Sequence, residues 1–111
     1  MTQDMPAGAG TAWIAEAGGE RAVLMLAGDL SGPSVLRELE ELLLDPRLAC
    51  SPSWVLDTAR VDRLDLACAY AVLRAVTTTP RPVALVVRGA DRGVHRTLRQ
   101  AGLDRVAVFE A

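Results

Sequence analysis

Lysine is missing from this chain: its twelve basic residues are all arginine, set against fourteen acidic ones for a net charge of −2. That balance excludes the broad positive field that gathers nucleic acid or anionic lipid. Histidine occurs once and cysteine twice, at Cys50 and Cys68, with no CxxC pair. Neither a zinc site nor a disulfide framework is supported, and the chain reads as a reduced, cytoplasmic protein without metal or cofactor. No apolar stretch reaches the length of about 18 residues that a membrane-spanning helix needs. Gly28, Gly32, Gly89 and Gly93 fit neither GxGxxG nor P-loop spacing, so no nucleotide fingerprint exists. The start lacks a cationic stretch followed by an apolar one, which argues against a secretory signal. Residues 1–11 read as a loose tail, and 12–111 as one domain.

Half of the residues are hydrophobic, distributed in short runs. Trp13 to Ala17 and Arg21 to Ala27 flank Gly18-Gly19, a hairpin signal that makes the first two strands antiparallel. Gly28 to Pro33 breaks the second strand, and Ser31 or Gly32 can cap a helix with Pro33 in its first turn. Val35, Leu36, Leu39, Leu42 and Leu43 recur at helical spacing, with Arg37, Glu38, Glu40 and Glu41 opposite. Asp45-Pro46 ends that helix, a loop follows, and Trp54-Val55-Leu56 makes a short buried strand closed by Asp57. After a loop through Asp62, Asp65 caps a second helix whose inward positions are Ala69, Leu73 and Val76, with Tyr70 alongside, up to Thr77-Thr78-Thr79-Pro80. Pro82 to Arg88 is a strand apolar on both faces. Asp91 caps a third helix with Val94, Leu98 and Ala101 inward and Gly102 as its stop, and Val106 to Phe109 is the last strand. This alternation predicts an α/β fold with a mostly parallel sheet of four to five strands, the first antiparallel, and about three main helices.

Leu26-Ala27-Gly28-Asp29-Leu30, Val55-Leu56-Asp57-Thr58-Ala59-Arg60-Val61 and Arg63-Leu64-Asp65, in this order and spacing, resemble the STAS domain, the fold of anti-sigma factor antagonists in bacterial partner-switching systems. Val94 to Leu98 with Ala101-Gly102-Leu103 resembles its last helix, and the resemblance covers about residues 12 to 111. In that family a Ser or Thr following the Asp takes a phosphate that breaks docking to a kinase-type anti-sigma factor. A phosphate adds roughly two negative charges and three acceptor oxygens, which disrupts an interface by repulsion and desolvation. Here Leu66 follows Asp65 and cannot accept one. Ser31 stands where the family carries an acidic residue, and Ala67-Cys68 where it carries Ser-Gly.

The resemblance implies a regulatory binding protein, not an enzyme, that docks a protein partner, an anti-sigma factor kinase, through Asp29, Ser31, Asp65, Leu66, Ala67 and Cys68, without phosphorylation at position 66. The alternative it implies is an accessory or scaffold subunit of a larger signalling or transporter assembly. Whether Leu66 faces solvent or bends into the core with Tyr70 and Leu73 stays open, as does self-association.

Three other groups carry chemistry-bearing residues. Asp29, Asp57 and Asp65 fall near strand ends, where a metal-assisted site could form if they met, although Asp57 and Asp65 also suit turns and caps. Cys68 near a helix start could pair with His95 as nucleophile and base, against its reading as a small buried hydrophobe. His95, Arg88, Arg92, Arg96 and Arg99 could hold an anion or acidic partner, or form a solvated helix face.

Overall fold

The computed structural model describes residues 10–110. The tail expected over residues 1–11 falls mostly outside them, but its last two residues belong to the domain. Gly10 is buried where an added Cβ would overlap the Asp29 carbonyl, and Thr11 begins the first strand.

Strands β1 (Thr11–Ala17) and β2 (Arg21–Leu30) form the expected antiparallel hairpin. The chain continues through α1 (Pro33–Leu43), α2 (Pro46–Ala49), β3 (Ser53–Leu64), α3 (Leu66–Thr77), β4 (Ala84–Arg88), α4 (Arg92–Ala101), a 3-10 turn (Leu103–Arg105) and β5 (Ala107–Glu110). The five strands lie side by side in chain order, with every pair after the hairpin parallel. Right-handed crossovers that always step the same way put all their helices on one face of the sheet. In agreement, α1 packs on α3 and α3 on α4. The core lies beneath them: Ala22, Leu24 and Leu26 of β2, Trp54 and Leu56 of β3, and Leu85 and Val87 of β4 meet Leu39, Val72, Val94 and Leu98.

Two local expectations are corrected. The second strand does not stop at Ala27, and the third is not a three-residue run closed by Asp57: β3 continues to Leu64, because its second half pairs with Ala27 to Leu30. The register shifts between Met25 and Ala27 and again between Gly28 and Asp29, so bulges let β3 carry extra residues along the same length of β2. Asp57, Ala59 and Asp62 are weak strand formers, and cross-strand pairing overrides that local preference. The segment after α1 also holds a short helix, α2, with Asp45 as its cap accepting from the Arg47 N–H at 2.9 Å. Trp54 anchors it from below by donating its indole N–H to the Leu48 carbonyl at 2.9 Å.

Beyond β4 the sheet narrows, and Gly89 allows the turn. Its φ is 77°, and an added Cβ would lie 2.7 Å from the Ala59 Cβ and 2.9 Å from the Ala59 Cα. Both the left-handed backbone and the contact demand glycine. Gly89→Ala is expected to lower unfolding free energy by about 2–3 kcal/mol, read from urea midpoints at unchanged m-value.

Candidate functional site

The start of α3 is held by one side chain. Asp65 caps the helix in extended conformation, with Oδ1 accepting from the Cys68 N–H at 2.9 Å. Its Oδ2 reaches across to accept from the Gly32 N–H at 3.1 Å. The Asp65 backbone N–H donates to the Leu30 carbonyl at 3.0 Å, and its carbonyl accepts from the Ala69 N–H at 3.2 Å. One residue therefore joins the ends of β2 and β3 to the starts of α1 and α3. Of the two expected caps, Ser31 and Gly32, it is Gly32 that caps α1, with Pro33 behind it at the first helical position. Beside this junction Ser31 donates its hydroxyl to Asp29 Oδ1 at 2.6 Å. Asp29, Ser31 and Asp65 are thus brought to one end of the sheet.

The buried stripe of α3 sets which residues face outward. Cys68, Ala69, Val72 and Val76 point into the core, a phase one position earlier than the expected Ala69, Leu73 and Val76 at its middle, and Leu73 is only partly buried. That rotation leaves Leu66 38% exposed, Ala67 exposed and Tyr70 39% exposed. The alternative in which Leu66 turns into the core is excluded. Leu66 and Tyr70 stand one helical turn apart, so together they present an apolar surface directly after Asp65.

Cys68 does not share that surface. Its side chain is fully buried, so its place among the partner-contacting residues is corrected: it supplies its backbone N–H to the cap and its thiol to the core. Burial, with the neighbouring Asp65 carboxylate, pushes the thiol up to about 12, which also removes it as a nucleophile. His95 packs edge-on against Phe109, with ring centroids 4.5 Å apart, instead of standing free in solvent.

The three aspartates do not converge. Asp57 lies in mid-strand, 3.9 Å from the Arg88 guanidinium, and accepts from the Ala59 N–H at 3.1 Å. Seven residues of β3, Thr58 to Leu64, separate it from Asp65, roughly 20–25 Å of strand. Among the described residues no group of three His, Cys, Asp or Glu side chains is placed to hold a metal. A cleft of about 580 Å³ lined by Leu43, Leu44, Trp54, Ala75, Thr78 and Pro80 opens at the other end of α3, some distance from this surface.

Two features escaped the sequence. Gly32 as a donor to Asp65 joins residues 33 positions apart, which no local pattern signals. The joint exposure of Leu66 and Tyr70 carried a signal in their spacing of four, but the pair was grouped only in the inward alternative, because the inward stripe was placed one residue late.

For Asp65, burial opposes the charge, but the hydrogen bonds from Cys68 and Gly32, aided by Arg63, outweigh it and hold the carboxyl below its ordinary value. A carboxyl lowered in the folded state stabilises above its unfolded value of about 3.9 and loses that contribution as pH falls through the folded pKa. Asp65→Asn is expected to cost about 1–2 kcal/mol at pH 7. Its stability should then fall less than the wild type's between pH 5 and pH 3, measured by denaturant unfolding across that range. In the native protein at pH 8, iodoacetamide is expected to label the exposed Cys50 and spare Cys68 until the chain is unfolded, as peptide mass mapping would show.

Residues 14–109 match the family model described as Mlab, STAS domain. Among solved structures, an anti-sigma factor antagonist from Mycobacterium paratuberculosis is similar, with a TM-score of 0.70 and 15% identity over 96% of this chain and 89% of that one. The anti-sigma factor antagonist SpoIIAA in its unphosphorylated form is similar at a TM-score of 0.62 and 11% identity, over 91% of this chain and 89% of that one. No curated protein matches the chain. At such identities the two structures speak for the fold, whereas the family model spans nearly the whole described domain from β1 to β5, and the chain belongs to the STAS-domain family.

Proposed function

We propose that this chain is a regulatory binding protein of the anti-sigma factor antagonist type, which docks a protein partner with the start of α3 and is not switched by phosphorylation at position 66. The carrying observation is Leu66: an apolar side chain, 38% exposed, stands immediately after the cap residue that orders the helix start. A hydroxyl there would take a phosphate; a leucine takes none. Covering the exposed part of Leu66 contributes about 1 kcal/mol, since most of the side chain is already shielded. Tyr70 extends the apolar contact by one turn, and Asp29, Ser31 and Asp65 supply a polar rim. Asp65 is largely committed to the cap, so its role at the surface is to position Leu66 and Ala67.

The partner that fits is a kinase-type anti-sigma factor, whose occupancy by this chain would depend on abundance and competition. Cys68 is left out of the contact because it is buried. Placement as a constant subunit of a larger assembly draws on the same observation, because a contact without a chemical off-switch also suits permanent association.

Direct binding to a candidate anti-sigma kinase, measured by calorimetry with and without ATP, tests the reading. The wild type is expected to bind equally in both conditions and to take up no phosphate within residues 63–73 by mass spectrometry. Leu66→Glu should weaken binding at least about tenfold, because a charge replaces an apolar contact. Phosphate transfer to that segment, or undiminished binding by the variant, would refute it. Tight binding to a transporter ATPase instead of the kinase would establish the assembly-subunit role in its place.

A further inference from the structure

Two neighbouring helices carry no acidic residue. All fourteen lie outside α3 and α4, which together hold Arg74, Arg92, Arg96, Arg99 and His95 in a chain of net charge −2. The caps Asp65 and Asp91, next to them in sequence, are occupied by the Cys68 and Val94 N–H groups. Arg74 pairs with Glu40 of α1 at 3.1 Å, but among the described residues Arg92, Arg96 and Arg99 form no ion pair. Val94, Leu98 and Ala101 are the buried stripe of α4, so these three arginines point away from the sheet, and all are exposed. They follow one another at i, i+4 and i+7. Leu66, Tyr70 and Leu73 of α3 have the same spacing, the first two 38% and 39% exposed and Leu73 half-buried.

The two stripes lie side by side. Helices α3 and α4 each connect neighbouring parallel strands, run in the same direction and pack on one another. Each stripe covers about two turns, about 10.5 Å of helix axis, and packed helices stand about 8–10 Å apart. A Cβ added to Gly93 would meet no atom of α3 within 4 Å, whereas the Leu73 side chain comes 3.9 Å from where a Cβ on Gly102 would stand. The helices thus close toward the C-terminal end of α4 and leave open space between their starts, beside Leu66.

We propose that the docking surface at Leu66 continues onto α4 and takes an acidic amphipathic helix of the protein partner, with its apolar edge on Leu66, Tyr70 and Leu73 and its carboxylates on Arg92, Arg96 and Arg99. This rests on the partner-docking reading and adds the chemistry of what docks. The charges select the sign of the occupant: three unpaired guanidinium groups, each able to bind a carboxylate through two parallel hydrogen bonds, call for a negative partner. Like charges at i, i+4 also disfavour their own helix, and an acidic partner removes that repulsion. The matched spacing selects a helix, because a helix repeats its own side chains at three and four residues and so meets both stripes along the same turns. A charge row alone would be a solvated face; this one flanks an exposed apolar pair. A second copy does not fit, since its acidic helix, α1, buries Leu39 and Leu43 in its own core and has only Leu44, at its end, as a large exposed apolar side chain.

The probe is a fluorescently labelled, alanine-based peptide of about 18 residues, with leucines at i, i+4 and i+7 and glutamates along the adjacent edge, titrated with the full chain and read by anisotropy. The wild type is expected to bind it at least about tenfold more tightly than a version with lysine for glutamate, and to weaken several-fold as salt rises from about 50 to about 500 mM. Arg96→Glu should weaken binding at least about tenfold. That change replaces repulsive neighbours along α4 by attractive ones, so circular dichroism and urea unfolding should show the variant folded at least as stably as the wild type. Arg37→Glu, the same change on α1, should bind like the wild type. Leu66→Glu should also release the peptide. If Leu66→Glu weakens binding and Arg96→Glu does not, the acidic occupant is overturned and the docking reading stands; if only Arg96→Glu weakens it, the docking reading falls and this contact with it. No binding at about 500 µM, or adsorption of the chain to anionic phospholipid vesicles in place of the peptide, would overturn the proposal and leave the kinase measurement to judge the docking reading.

Discussion

A single carboxylate governs the end of the molecule where binding is proposed. Asp65 accepts one backbone N–H from the first turn of α3 and another from the residue capping α1, groups that would otherwise lack partners at helix starts. Both bonds involve an ionised acceptor, which makes them stronger than neutral ones. Because its backbone also donates to Leu30, the residue holds β2 and β3 at equal height where they leave the sheet. The direction of Leu66 follows from this clamp together with the buried stripe of α3: with Cys68 and Ala69 turned inward, position 66 turns out.

This arrangement separates the ordering of the junction from its chemistry. In a family whose Ser or Thr at this point takes a phosphate, the cap and the acceptor would sit side by side. Here the cap residue Asp65 is followed by Leu66, a hydrocarbon side chain that cannot take a phosphate.

Much of the architecture was readable in the chain. The glycine pair between two apolar runs marked the hairpin, Asp65 and Asp91 marked helix starts by their capping chemistry, and Gly102 marked the end of α4 with its left-handed backbone. The length of β3 was not readable, because Asp57 to Asp62 favours turns and becomes strand only through pairing with Ala27 to Leu30. Nor was α2, a single turn fastened by Trp54 from another element.

At the site, residue types alone determined that position 66 lacks a hydroxyl and that Asp65 can cap a helix, since both are properties of covalent structure and local backbone. The tertiary structure decided the rest: that Leu66 is exposed, that Cys68 is buried, that Gly32 is the second partner of Asp65, and that Asp57 stays far from it. Each depends on the rotation of α3 against the sheet or on strand register, which arise from packing between segments distant in sequence. Hydrophobic spacing fixes a helix's apolar stripe only to within about one residue, and one residue turns a side chain by about 100°.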